Sequence, residues 1–452
     1  MVSALLSRLR GETGSALIRT FLAKGISAFG ALGLVMVIGH LYGPKGVGVY
    51  ALAQSLLLGA GILARRGMDN ALVRFVGRDY ESPQVRNYLY WAGRRALWLS
   101  LPLALAVCLL GDYIEHFFVM PGLAEVLLGV GLAIPFYTWS FLLAGFFKAI
   151  RRPATAALQE NGAISLVAGA LLLLLGWLHV GGSLSLAMLG WVYLVSAILI
   201  AIQGHLTTAW WFRGRVSDAD QTSGLSGVEI ASFRDASQSF FVMSLAAFMQ
   251  GVLSIMIAGK FLGSVELGLF KSAHQIAVSV AFVLMVINAI FPPRFAALYH
   301  QGNMGALGGL ARRAALLGLV MSAPFLVACL LVPEWILGLF GEGFDSAASL
   351  LRIVALAQLV NVATGSVGFL LNMTGHERVM RNIALLCNGA GLLGFLVFTP
   401  LLGALGAAVA LAFVLVSQNL IALVLVWIKL GIWTMPGPNL LAMLGIKSHA
   451  ER

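Results

Sequence analysis

The sequence predicts an all-α membrane protein with about 12 transmembrane helices in two six-helix lobes. Three observations carry this. Hydrophobic residues make up 60% of the 452 and charged residues 10%, with a mean hydropathy of +0.93; a soluble chain of this length needs far more charge on its surface. The apolar residues come in runs of about 20, the length of a membrane-crossing helix. A motif near the start of the chain also returns 220 residues later.

Lipid offers no partner to a bare backbone N–H or C=O, so only helices or closed barrels cross it, and unbroken apolar runs rather than alternation select helices. In order, the expected spans are 16–40, 47–63, 90–110, 122–147, 155–178, 185–211, 239–262, 266–290, 311–332, 346–371, 380–399 and 404–429. The first is too long and too rich in polar neighbours for a cleaved signal peptide, and no small-x-small cleavage site precedes Gly43. Cys108, Cys329 and Cys387 each lie within an apolar run without ligand spacing, so no disulfide, metal site or cofactor is expected.

Basic residues crowd alternate loops: Arg8 and Arg10, Arg65 through Arg95, Lys148 to Arg152, Arg213 and Arg215, Arg294 to Arg313, Arg378 and Arg381, and Lys447 with Arg452. The loops between carry Asp112, Glu115, Glu334, Glu342 and Asp345. Positive charge stays on the cytoplasmic side, which places both termini there in a multi-pass protein of the inner membrane. The net charge of +11 is thereby a topology feature, and no nucleic acid partner is expected.

The repeat pairs YGPKGVGVYALA from Tyr42 with LGSVELGLFKSA from Leu262, so that Gly43, Gly48, Tyr50 and Ala53 fall on Gly263, Gly268, Phe270 and Ala273. At the same offset Val73-Arg74-Phe75-Val76 meets Pro293-Arg294-Phe295-Ala296. The four glycines are expected to mark tight turns on the outer side. Two copies of a six-helix unit follow: an N-terminal lobe over 1–212, a cytoplasmic linker over 213–232, a C-terminal lobe over 233–430 and a short tail over 431–452. Because six is even, both copies enter from one side, a parallel repeat suited to rocking around a site between them.

YGPKGVGVYALAQS, followed by GMDNALVRFVG from Gly67, resembles the N-terminal signature of the polysaccharide-transporter branch of the multidrug/oligosaccharidyl-lipid/polysaccharide exporter superfamily, whose best-known members are O-antigen-type flippases. The resemblance covers essentially the whole chain, and its motifs identify the branch better than the substrate. It implies twelve to fourteen helices in two lobes around a V-shaped cavity. The implied task is moving an undecaprenyl-pyrophosphate-linked oligosaccharide from the cytoplasmic to the outer leaflet, with membrane lipids around it and polysaccharide polymerase machinery as a further partner.

An anionic pyrophosphate crossing hydrocarbon calls for fixed positive charge at depth, where a cation costs about 2.5–3.5 kcal/mol on insertion scales. The candidates are Lys24, Lys271, His274, Arg352 and Arg19. Thr20, Lys24, Ser27 and Ala31 share one helical face, although Lys24 also has the reach to snorkel to the surface; Arg19 lies nearer the entrance. Lys271, His274 and Gln275 stand at i, i+3 and i+4, too polar to face lipid. For Arg352, a two-pronged grip on pyrophosphate and snorkelling outward toward Asp345, seven residues back on the same face, are both open. Arg65 is expected to pair with Asp69 one turn on.

No Asp or Glu sits at the centre of a span, which disfavours a multidrug antiporter using carboxylates for cationic drugs and coupling ions. No phosphate-binding lysine loop, nucleophile elbow or metal-ligand spacing is present, and the outer loops are too short for a membrane glycan polymerase or ligase, so an enzyme is not expected.

Overall fold

A single glycine decides how the chain begins. In the computed structural model, which describes residues 12–178, 184–213 and 225–438, α1 (Glu12–Arg65) runs for 54 residues. At 1.5 Å per residue that is about 80 Å, against a hydrocarbon core of about 30 Å. The helix is broken at Gly43, at φ 65° and ψ −169°, with Pro44 next. That backbone region is essentially restricted to glycine, and proline without an N–H opens the second half at no hydrogen-bond cost.

The other elements are helices too, with no strand among the described residues. They are α2 (Met68–Val76), α3 (Val85–Leu109), α4 (Gly111–Phe118), α5 (Leu123–Ala149), α6 (Pro153–Ala157), α7 (Asn161–Leu178), α8 (Leu186–Arg213) and α9 (Gly227–Phe248). A π turn over Met249–Leu253 joins α9 to α10 (Ser254–Phe261). Then follow α11 (Ser264–Ile290), α12 (Pro292–His300), α13 (Met304–Leu331), α14 (Pro333–Gly338), α15 (Ala348–Thr364), α16 (Val367–Met373), α17 (Glu377–Leu402) and α18 (Ala404–Leu430).

Ten helices are long and apolar enough to cross a membrane, among the described residues. The expected twelve differ from these at two places. Spans 16–40 and 47–63 both fall on α1 and count there as one apolar stretch, Arg19–Arg65, because helical geometry resumes immediately after Gly43, the break that lies between them. The expected span 239–262 falls on α9, the π turn and α10, which together carry an apolar run from Phe240 to Leu262 and of which Gly251–Phe261 is a shorter apolar helix among the described residues. This is a multi-pass, all-helical membrane protein.

The chain divides into two compact units at Val265/Glu266. In the first, α5 is the central helix, with buried residues along its whole length from Leu123 to Ala149, and it packs on α1, α2, α3 and α8. Its crossing with α8 is backbone on backbone: a Cβ on Gly129 would strike Gly190, and one on Gly190 the carbonyl of Val126. Small residues permit such approach where lipid supplies no hydrophobic drive between helices. In the second unit α18 packs along α15 and α17, with Trp427, Val426 and Leu423 in its core.

Of the expected linker, residues 214–224 lie outside the described residues, as do 1–11 and 439–452. From Gly227 the chain is already helical. The cause is a capping box: the Glu229 carboxylate accepts from the Ser226 N–H (2.8 Å) and hydroxyl (2.7 Å), and the Glu229 N–H donates to the Ser226 hydroxyl at 3.3 Å. Phe233, 1% exposed, then seats α9 in the first unit among Phe75, Tyr88 and Trp91, with ring centroids 5.3, 5.4 and 5.4 Å away. The segment 233–261, which the repeat assigns to the second lobe, is thus part of the first compact unit.

Candidate functional site

The two copies of the repeat set matching stretches of helix. Gly48 and Gly268 are buried; Tyr50 and Phe270 are each 2% exposed, and Ala53 and Ala273 are fully buried. One turn on, the register pairs Gln54 with His274. Gln54 donates to the Tyr50 hydroxyl at 2.6 Å, and the His274 ring stacks on Phe270 at 6.2 Å and 8°. Each copy therefore carries an aromatic residue with a polar partner at i+4, and the second adds Lys271 between them.

Lys271 is 8% exposed. No carboxylate lies within 4.0 Å of it among the described residues, and His274 Nδ1 is buried without a partner among them. A buried ammonium without a counter-charge is costly unless it serves a ligand. The expectation that Lys271 and His274 share a polar helix face corresponds to the α11 backbone.

The remaining expected cations are dispersed. Arg19 is exposed and Lys24 half-buried, both on α1. The polar face expected around Lys24 is divided, because the Ser27 hydroxyl donates to the Ala157 carbonyl at 3.2 Å and so turns toward α6. Arg352 is engaged: its Nη2 lies 2.9 Å from Glu334 and its Nε donates to the Leu330 carbonyl at 3.2 Å. Asp345 is not its ion-pair partner. The reason is tertiary, since α14 brings Glu334, 18 residues away in sequence, beside the guanidinium.

Sequence reasoning missed the role of Arg65. It is 4% exposed, with its guanidinium carbon 4.1 Å from the Phe141 ring centroid and 5.5 Å from that of Tyr137. Its Nε and Nη1 have no hydrogen-bond partner among the described residues, and no Arg65–Asp69 ion pair forms. The pairing was legible only as fragments: aromatics at i and i+4 on α5, and Gly61 one turn before Arg65. A Cβ on Gly61 would lie 2.6 Å from the Tyr137 ring and 3.0 Å from Arg65 Nη1.

Among the described residues the buried charged side chains are Arg65 and Lys271, and no buried Asp or Glu accompanies them. No cluster of three His, Cys, Asp or Glu suited to a metal is present among the described residues.

A two-unit, all-helical membrane protein with this interior has relatives in fold. The lipid II flippase MurJ in an inward closed conformation aligns with a TM-score of 0.65 at 12% identity, covering 90% of this chain and 86% of that one. The MATE multidrug transporter DinF-BH aligns with a TM-score of 0.59 at 17% identity, covering 91% and 94%. An inward-facing multidrug resistance MATE family transporter of the MOP superfamily gives 0.58 at 17% identity, covering 90% and 93%. These likenesses define the class by fold: the architecture shared by MATE transporters and MurJ. No curated protein matches in sequence. The family described as polysaccharide biosynthesis protein matches residues 16–298, more than half of the chain, and the protein belongs to that family.

Proposed function

We propose that the protein is a flippase that moves a polyprenyl-pyrophosphate-linked oligosaccharide from the cytoplasmic to the outer leaflet by alternating access, for polysaccharide biosynthesis. The observation that carries this reading is the sign of the interior charge: among the described residues, a buried lysine and a buried arginine with no buried carboxylate. Such an interior suits an anionic cargo, for which a fixed ammonium replaces part of the lost hydration. Membership of the polysaccharide biosynthesis family supports a glycan as the rest of the cargo, and the fold shared with a lipid II flippase supports a lipid-borne one.

In this reading Lys271 and His274 meet the pyrophosphate, Lys24 assists from α1, and exposed Arg19 acts at the entrance. Arg352, held by Glu334, contributes least. Both termini face the cytoplasm of a bacterial cell, and polymerase machinery takes up the delivered glycan.

A drug antiporter is the second reading, favoured by the fold of DinF-BH. It calls for a buried acid to hold a cation. The test measures glycan reaching the surface of a flippase-null strain, with membrane abundance checked for each variant. Lys271→Ala and the Lys24→Ala, Lys271→Ala pair lose most transport at normal abundance, whereas Lys271→Arg keeps much of it. Full complementation by the double variant sinks the anionic-cargo reading.

A further inference from the structure

At the arginine-rich end of the first unit, the surface folds into an open pocket of about 700 Å³ between the end of α1, the first half of α3 and the start of α9. Arg66, Arg94 and Arg95 line it together with Tyr90, Trp91 and Trp98, and none of the lining residues is acidic. The volume lies within the range of small-ligand sites. Nothing in the transport reading uses it.

The pocket is built rather than incidental. Arg66, at φ 45°, has its carbonyl held by the Ser237 hydroxyl at 2.6 Å, which fixes the loop that presents it. Arg95 lies 4.6 Å from the centroid of Trp91, and Trp91 itself packs on buried Phe233. Arg94 and Arg95 are exposed, and no carboxylate among the described residues pairs with them.

Its position relative to the bilayer follows from α3. Beyond Arg95 the chain carries no charge from Ala96 to the end of α3 at Leu109, 14 residues or about 21 Å of helix, which belongs in hydrocarbon. The pocket therefore lies at headgroup depth, where Trp and Tyr concentrate. Directly above it Trp98, Leu101, Leu105 and Leu109, exposed by 68, 55, 59 and 73%, follow at helical spacing and form one apolar stripe.

We infer that this pocket binds the phosphate headgroup of an anionic glycerophospholipid of the surrounding leaflet, with its acyl chain along the stripe of α3. Three guanidinium groups match a phosphodiester in charge and in hydrogen-bonding shape, and basic pockets between membrane helices suit anionic headgroups. A free phosphate would leave the stripe unused.

The test uses the full-length protein in detergent, with lipid retention read by native mass spectrometry. Phosphatidylglycerol and phosphatidylcholine of identical chains are offered in turn, with and without millimolar inorganic pyrophosphate. The wild-type protein prefers phosphatidylglycerol, and Arg94→Gln with Arg95→Gln reduces that preference about 30-fold, the effect of two interfacial cations. Arg94→Lys with Arg95→Lys keeps most of it, which separates lost charge from lost folding, and the equally exposed pair Arg378→Gln, Arg381→Gln leaves it unchanged. An unaltered preference in the Arg94, Arg95 glutamine variant overturns the proposal. Displacement of the lipid by inorganic pyrophosphate overturns it too, in favour of a soluble anion, as does retention of a polyprenyl phosphate with phosphatidylglycerol ignored.

Discussion

Arg65 and Lys271 are the same kind of object, a cation out of water, supported in different ways. Arg65 rests on the faces of Phe141 and Tyr137, a contact worth about 2 kcal/mol when desolvated. Arg65→Lys exchanges a flat, stacked group for a compact, strongly hydrated one, so it is expected to lower the melting temperature in detergent, with Arg65→Ala lower still. Lys271 has no such cushion. Its replacement by methionine is expected to leave thermal stability equal or higher while surface glycan falls, since only the ligand needs the charge. Glu229 provides a pH-dependent case at the membrane surface. Bonds from the Ser226 backbone N–H and hydroxyl hold its carboxyl below the usual carboxylate range. The lowered folded-state value means that the cap contributes above the unfolded pKa of about 4.3 and is lost as pH falls through the lower folded value. Amide exchange at 227–230 is thus expected to be faster in Glu229→Ala than in wild type at pH 7, and the ratio to approach one as pH falls through the lowered folded-state value.

At the scale of the element, the two copies of the repeat are not equivalent at their first glycine. Gly43 breaks α1 at φ 65°, a conformation costing a side-chain-bearing residue about 1–3 kcal/mol. Gly263 has no positive φ, and a Cβ there would meet nothing within 4 Å, contrary to the expectation that all four glycines mark constrained turns. Gly43→Ala is therefore expected to reduce folded protein and Gly263→Ala to be silent, both read from membrane abundance and melting temperature. Gly48→Val and Gly268→Val, each within a buried stretch of helix, are both expected to be damaging. Tyr50→Phe strands the Gln54 amide, which is 8% exposed, at about 1–3 kcal/mol. Periodicity located these helices well because apolar runs are a one-dimensional property. It also set the boundary between the first two spans at residues 41–46, where Gly43 breaks α1, but it could not show that the break is confined to a single backbone angle.

For the whole molecule, the alternation of basic and acidic loops makes a topology claim that a reporter can check. A cytoplasm-active fusion after Gly214 or at Arg452 is expected to be active, and one after Gly181 silent; periplasmic activity at Gly214 would remove both the orientation and the six-plus-six repeat. The family membership agrees with the resemblance carried by YGPKGVGVYALAQS and GMDNALVRFVG, while the anionic character of the proposed cargo rests on the buried cations.

By itself the sequence determined the solvent and the class of fold. Lipid demands long apolar helices with satisfied backbones, and those demands are written residue by residue in composition, run length and charge alternation. The tertiary structure decided which charged groups are buried and which partners they keep. It paired Arg352 with Glu334 instead of Asp345, laid Arg65 on two rings of α5 instead of beside Asp69, and left Lys271 without a counter-charge among the described residues. Each outcome depends on distances between segments far apart in the chain, and a short-range pattern carries no such information. The same reason hid the basic pocket: Arg66 and Arg94 are 28 positions apart, and they share a surface because α1 and α2 pack on α3, with Phe233 and Ser237 holding α9 beside them.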